Sequence, residues 1–376
     1  MQNITACDGA FAVVPHPPLT YLPPRRTAPA KPLRLTDIME TLAQGHDLAP
    51  DEARDAFAGL LDGDLAPAQA GALLLGLRAK GETPEEMGAA VTAVLERAVP
   101  VPPVQGTCID VVGTGGDAKS SFNCSTAVAL SLAGLGHKVL KHGNRSVSSR
   151  CGSADVLELL GIPLDVPPEE VPHVLERENF VFLFAPRYHP SFKHVMPIRR
   201  ELGVRTVFNL LGPLVNPARP THHFLGVARP EHLPLVAGAL ARASQGQGAV
   251  VHGAGGYDEL TPLGRASLMF VRHGTTRPGS LDPADYGFAS CTEQDLAVSG
   301  PEEAALRLRE LLRGGGPEPM RDTLALNLGF ALYLLGEEGA ESLDPARGFE
   351  ARRMHEAMTR ARQAVRAGAG GVFCHA

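Results

Sequence analysis

The chain has 376 residues, of which 44% are hydrophobic and 20% charged, with a formal net charge of -6. This is the composition of an ordinary soluble globular protein, long enough for one large domain with a smaller partner. The acidic balance gives no basic footprint for nucleic acid or an anionic membrane, and no apolar run approaches the roughly 18 to 20 residues of a membrane helix.

Residues 1–32 are proline-rich and aperiodic and read as a loose tail, with no basic start of a secretory signal. The six cysteines (Cys7, Cys108, Cys124, Cys151, Cys291 and Cys374) are scattered, without C-x-x-C spacing. They read as reduced, mostly buried thiols, which points to the cytoplasm. From Leu33 to Ala98 the pattern is helical: "RLTDIMETLAQG", "PDEARDAFAGLLDG", "APAQAGALLLGLRAKG" and "TPEEMGAAVTAVLERA". Thr83, Pro84 and Glu86 form a capping box with proline at the first helical position. A helical domain over 33–103 is expected.

After "VPVPPVQG" the texture changes. Short apolar runs, Ile109–Val112, Lys138–Leu140, Val181–Phe184, Phe224–Val227, Gly248–Val251 and Leu268–Val271, alternate with helix-length segments. That is the pattern of β-α-β units, so the fold class is α/β: a small N-terminal helical domain and a larger domain with a mostly parallel central sheet flanked by helices. "EEVPHVLERE" and "HPSFKHVMPIRRELG" look helical and are expected to fold back on the N-terminal helices. The helical domain then takes in 168–205, leaving 104–167 and 206–376 to the α/β domain.

In such sheets the ligand lies at the carboxyl ends of the strands. The first strand exit, "IDVVGTGGDAKSSFNCST", has the look of a phosphate site. Gly113, Gly115 and Gly116 let the backbone approach a ligand and aim N–H groups at an anion, and a helix starting at Asn123–Thr126 adds its free N–H groups. The string misses the P-loop pattern where Ala118 stands for the second glycine, and Asp117 repels phosphate oxygens unless a metal or ligand hydroxyl intervenes. A ligand with hydroxyls and Mg²⁺ beside its phosphates suits this loop better than a nucleoside triphosphate.

The second exit, "KHGNRSVSSRCGSADVLELLG", gathers Lys141, His142, Arg145, Ser146, Ser148, Ser149 and Ser153, the other wall of a polyphosphate site. In the fifth, "AVVHGAGGYDEL", Asp258 and Glu259 are either a surface pair or two hard oxygen ligands for Mg²⁺ held jointly with substrate phosphates. Of Arg199, Arg200 and Arg205, one is a candidate for gripping a substrate carboxylate, against the plainer reading of a charged surface helix. "NLLGPLVNP" reads as a buried turn without chemistry. Without G-x-S-x-G, H-E-x-x-H or G-x-G-x-x-G, serine hydrolase, zincin and dinucleotide readings have no support.

Taken together and in order, "GTGGD", "FNCST", "KHGNRSVSSRCGSADVLELLG", "HPSFKHVMPIRRELGVRTVFNLLGPLVNP" and "VVHGAGGYDEL" resemble the anthranilate phosphoribosyltransferase family from about Leu33 onward. The resemblance implies 5-phosphoribosyl 1-diphosphate (PRPP) and Mg²⁺ in a cleft between the domains, anthranilate as acceptor, a homodimer formed through the helical domain, and neither nucleic-acid nor membrane partners. By matching position, PRPP is lined by Gly116, Asp117, Ser121, Asn123, Cys124, Ser125, Thr126, Lys141, His142, Gly143, Asn144, Arg145, Ser146, Val147, Ser148, Ser149 and Ser153. Gly113, Asn144 and Arg199 lie at anthranilate, and Ser125, Asp258 and Glu259 hold the metal. Lys141 and Arg145 are the cations expected to stabilise departing pyrophosphate. Where the family has threonine in "TFN" this chain has Ser121, which keeps the hydroxyl. Two relatives of the fold are alternatives: a pyrimidine nucleoside phosphorylase, which "KHGNR" fits less well, and a nucleic-acid-binding relative, against which the acidic balance and intact "GTGGD" speak.

Overall fold

The computed structural model describes residues 35–116, 119, 121–145, 152–243, 246–336, 343–344 and 349–374. The expected tail, residues 1–32, lies outside them. Four helices come first: α1 (Leu35–Ala43), α2 (Pro50–Asp62), α3 (Pro67–Lys80) and α4 (Pro84–Glu96). The last three have proline in the first turn, where its missing N–H costs no helical bond. At α4 the capping box closes both ways: Glu86 N–H donates to the Thr83 hydroxyl at 3.2 Å, and Thr83 N–H to the Glu86 carboxylate at 2.9 Å. Glu86 is buried and also accepts from Leu48 N–H and Lys80 Nζ, so this cap pins the α1–α2 link and the end of α3.

The larger part is a seven-stranded sheet: β1 (Cys108–Gly113), β2 (Lys138–Gly143), β3 (Phe180–Phe184), β4 (His222–Gly226), β5 (Gln247–His252), β6 (Ala266–Arg272) and β7 (Thr275–Leu281). Its order is β3-β2-β1-β4-β5-β6-β7. The first five strands are parallel, whereas β6 and β7 form an antiparallel hairpin at one edge. The run Leu268–Val271 is thus a strand as expected, but it follows β5 without an intervening helix. The reading from apolar runs missed β7, because "TTRPGSL" is an edge strand exposed over its first four residues, with only Leu281 at its end in the core.

The helices follow in chain order: α5 (Cys124–Gly134) after β1; α6 (Ser153–Leu159) and α7 (Val171–Glu178) after β2; α8 (Ala185–Tyr188), α9 (Phe192–Leu202) and α10 (Phe208–Leu211) after β3; α11 (His232–Ala243) after β4; then α12 (Glu293–Leu296), α13 (Pro301–Leu312), α14 (Glu318–Leu335) and α15 (Ala351–Arg366) after β7. One face of the sheet is covered by α5 and α13–α15, with Val128, Phe224 and Phe330 in a shared core. The other face carries α10 and α11, and its core continues without a break into that of α1–α4 through Phe57, Leu74, Leu211 and Leu240. The helices α4 and α11 meet at glycines: a Cβ on Gly238 would come within 2.7 Å of Pro84, and one on Gly88 within 3.2 Å of Arg242. The segment 168–205 divides. Its helix α9 packs on α2 and α3, while α7 and α8 pack on the sheet and β3 is part of it.

Between β1 and β4 the connections diverge to opposite sides, which makes the crevice beyond their carboxyl ends the expected ligand position. Gly113 and Gly226, the last residues of these two strands, are register partners there.

Candidate active site

The paired glycines make a slot, and Asp258 fills it. A Cβ on Gly226 would overlap the Asp258 carbonyl oxygen at 1.6 Å, and one on Gly113 would overlap its carboxylate at 2.2 Å. Both φ values are ordinary, so glycine is needed for space, not for conformation. The Asp258 carboxylate accepts the Gly115 N–H at 2.7 Å. Burial raises its pKa, opposed by that N–H, its own backbone N–H and the charge of Lys141. The next turn of chain is held by Asn327 of α14, which accepts from Leu260 N–H and donates to Leu260 C=O at 2.9 and 2.7 Å.

Asp258, Glu259, Cys124 and Ser125 line one cavity at the sheet's carboxyl edge. Two carboxylates and a hydroxyl are hard oxygen donors of the kind Mg²⁺ prefers. Among the described residues no group of three or more His, Cys, Asp and Glu gathers as a metal site. Asp258, Glu259 and Ser125 by themselves offer fewer donors than an octahedral shell needs, which fits a metal that completes its shell with ligand phosphates and water, as Mg²⁺ usually does.

The glycine loop leaves β1 with Gly115 and Gly116 at φ +65° and +71°, backbone open to glycine at little cost. It ends in α5, whose N-cap is Asn123. Cys124 and Thr126 are buried and their N–H groups already donate to Phe122 C=O and Asn123 C=O at 2.6 and 3.1 Å, so they frame the start of α5 instead of facing a ligand; burial also pushes the Cys124 thiol up, away from reactive range. Ser121 pairs with Ala297 as an isolated bridge, and Lys119 lies over the Tyr257 ring and pairs with Glu293 at 2.8 Å.

Lys141 is 1% exposed and does not reach into open cleft. Its Nζ donates to the Val111 carbonyl at 2.6 Å and to the Ser125 hydroxyl at 3.2 Å, behind the carboxylate cavity. Burial brings its pKa down to about 8, with Asp110 opposing. Alternation along β2 turns His142 to the other face, where its Nδ1–H donates to Gly212 C=O at 3.2 Å and its ring meets His189 edge-on at 5.1 Å. Burial lowers its pKa to about 3, so it is neutral at physiological pH. Arg145 bonds Asp155 and Glu158 at 3.0 and 2.9 Å. In this conformation neither expected cation faces the glycine loop: one is enclosed by the sheet, the other tied to α6. Asn144 Oδ1 accepts from Arg145 N–H, and the Ser153 hydroxyl donates to Asn144 C=O at 3.4 Å. Gly143 has room for no side chain, since Ser153 Oγ lies 2.6 Å from where its Cβ would stand.

Arg199 lies over the Phe208 ring at 5.7 Å and beside Met196 Sδ at 3.6 Å, and burial lowers its pKa. No hydrogen bond joins it to Gly113 or Asn144 among the described residues. Asp117, Ser146, Val147, Ser148 and Ser149 lie outside the described residues.

The turn "NLLGPLVNP" holds this site together, contrary to its plain appearance in the sequence. Its Asn216 donates to Asp110 Oδ2 and to Leu140 C=O, both at 2.8 Å, tying β1 to β2, and its Gly212 receives His142. Fully buried, Asp110 has its pKa raised to about 7. A lone Asp in an apolar strand was the available signal.

The site and sheet belong to a known class. Residues 105–370 match the a/b domain of a glycosyl transferase family, and residues 36–98 match the helical bundle domain of the same family. An anthranilate phosphoribosyltransferase of Nitratidesulfovibrio vulgaris is 58% identical over 90% of this chain and 98% of its own length, and one of Oleidesulfovibrio alaskensis is 53% identical over 90% and 98%. Among solved structures, the anthranilate phosphoribosyltransferase of Thermus thermophilus superposes with a TM-score of 0.79 at 40% identity, covering 90% of this chain and 97% of that one. The Saccharomyces cerevisiae enzyme in complex with PRPP and Mg superposes with 0.78 at 28% identity, covering 90% and 95%. The chain belongs to the anthranilate phosphoribosyltransferase family.

Proposed function

We propose that the protein transfers the 5-phosphoribosyl group of PRPP to the amine of anthranilate, giving N-(5-phosphoribosyl)anthranilate and pyrophosphate, a step of tryptophan biosynthesis. The observation that carries this is the glycine slot at Gly113 and Gly226, which seats Asp258 against the phosphate loop at the sheet's switch point. The relatives described above, including the yeast enzyme with PRPP and Mg, support the same reaction.

In the transfer, the bond from ribose C1 to the diphosphate oxygen breaks, the bond from C1 to the anthranilate nitrogen forms, and the nitrogen then sheds a proton to solvent. An aromatic amine attacks as the neutral base, so the site's task is alignment and stabilisation of the leaving diphosphate. The glycine loop lets the diphosphate approach the backbone closely, and the positive end of the α5 dipole favours its charge there. Asp258, Glu259 and Ser125 are the residues that would hold Mg²⁺, which when bound supplies positive charge against the leaving oxygens. Lys141, enclosed behind Ser125, contributes its charge through that hydroxyl and the field at the cavity. Arg145 reaches the substrate only by exchanging Asp155 and Glu158 for phosphate oxygens, an exchange between anionic partners. Arg199, partly desolvated against Phe208, is suited to a carboxylate.

The protein acts in the cytoplasm as a homodimer joined through the helical domain. In support, Ala68, Ala72, Leu75 and Ala79 share one exposed face of α3, an apolar stripe with no covering element among the described residues. No described helix is long and apolar enough to cross a membrane. Loss of anthranilate fluorescence on mixing protein, PRPP and Mg²⁺ tests the function; activity with phosphate and a pyrimidine nucleoside instead would establish the phosphorylase alternative.

A further inference from the structure

We propose that Arg205 is a positioning residue for the phosphate loop, holding Gly116 in the backbone conformation that receives the diphosphate; this rests on the reaction proposed above. Two consecutive glycines, Gly115 and Gly116, sit in the left-handed region. Glycine occupies that region and its mirror almost equally well, so its own preference does not select the shape, and contacts from outside must. Among the described residues two side chains from other elements make such contacts. Asp258 takes the N–H of Gly115 at 2.7 Å, and Arg205 Nη2 donates to the carbonyl of Gly116 at 2.9 Å. The guanidinium lies directly on the glycine: a Cβ on Gly116 would stand 2.1 Å from Nη2.

Arg205 is itself delivered by a fixed turn. Gly203, at φ +64°, caps α9 by donating its N–H to Arg199 C=O at 3.2 Å, and Thr206 N–H just beyond is taken by Asn209 Oδ1 at 2.9 Å. Since α9 packs on α2 and α3, the bond from Arg205 to Gly116 joins the helical part of the molecule to a loop borne by β1. Asp258 thus holds the loop from the sheet side, and Arg205 from the helical side. With its carbonyl spent on Arg205, Gly116 is kept from turning an oxygen toward the phosphates, where it would repel them.

The test compares the wild type with Arg205→Ala and Arg205→Lys by steady-state kinetics, by thermal melting, and by calorimetry of pyrophosphate with Mg²⁺. Wild-type turnover of PRPP and anthranilate is the separate check on the reaction itself. For Arg205→Ala we expect a PRPP KM raised about tenfold or more, the size of one lost charged hydrogen bond, with similarly weakened pyrophosphate binding. kcat at saturating PRPP and the anthranilate KM stay within about twofold, because the loss is in ground-state and transition-state binding alike. Arg205→Lys restores part of the PRPP affinity, and all three proteins melt alike. Unchanged PRPP KM and pyrophosphate affinity in Arg205→Ala would overturn the proposal, as would a rise confined to the anthranilate KM, which would make Arg205 a carboxylate ligand. Calorimetry decides the matter without turnover should the wild type prove inactive.

Discussion

The carboxylate of Asp258 accepts the backbone N–H of Gly115 at 2.7 Å, so the residue proposed to hold a metal is also a strut of the glycine loop proposed to receive the phosphates. One side chain thus has two proposed roles, a charge toward the metal and an acceptor for the loop.

For Asp258→Asn the two roles separate. The amide oxygen still accepts the Gly115 N–H, so the melting temperature stays near that of the wild type, while the charge offered to the metal is gone. The Mg²⁺ concentration for half-maximal activity rises by about tenfold or more, with kcat/KM for PRPP falling in step. A Mg²⁺ titration settles it, and an unaltered curve would take Asp258 out of the metal site.

Gly226→Ala puts a methyl group where the Asp258 carbonyl oxygen stands, 1.6 Å away. The loop carrying Asp258 and Glu259 must move off the sheet, which costs about 2 to 3 kcal/mol of stability. Urea unfolding measures this. Since Gly226 is buried at φ values open to any residue, a stability equal to wild type would mean that the slot is not tight.

Arg199→Ala is expected to raise the anthranilate KM about tenfold or more, corresponding to ~1.5 kcal/mol for a charge-assisted bond, with the PRPP KM little changed. Arg199→Lys recovers less than half of this, because an ammonium neither stacks on Phe208 nor forks to a carboxylate. If the anthranilate KM stays normal in both variants, the carboxylate is bound elsewhere.

Stability falls on mild acidification. Burial holds His142 at about 3 and both His189 and His223 at about 4, below the ordinary 6.5, so these rings stay neutral in the folded protein and take up protons on unfolding. Their contribution is complete above pH 6.5 and is lost as pH falls toward 4, at about 1.4 kcal/mol per pH unit for each proton. Asp110, raised to about 7, and Asp258, also raised, act in the opposite sense but are outnumbered. Urea unfolding at pH 6.5 and 5.0 should show the lower midpoint at pH 5.0; equal midpoints would contradict the buried neutral histidines.

Much of this molecule was legible in the order of its residues. The proline and capping signals at α4, the apolar runs of β1–β5, and the glycines and hydroxyls after β1 and β2 all report local needs: a capped helix end, a buried strand, a backbone that must pass close to something. The adjacent acids Asp258 and Glu259 were visible too, because two carboxylates after a strand and a glycine turn are conspicuous against an apolar background. The exposed edge strand β7 was not, since an edge with one wet face needs no apolar run, and the division of 168–205 was not, since helical periodicity says which face is buried but not against what.

The sequence by itself determined the alternation of strands and helices, the places where the backbone must be glycine, and the residue types available for phosphate and metal. Only the tertiary structure decided where the long side chains go. Lys141 turns inward to Val111 and Ser125, Arg145 outward to α6, Arg205 across to Gly116, and Asn216 from an unremarked turn to Asp110. The reason is one of range: propensity and periodicity act over a few residues, whereas each of these bonds joins groups from separate elements whose nearness exists only once the sheet and its helices have packed.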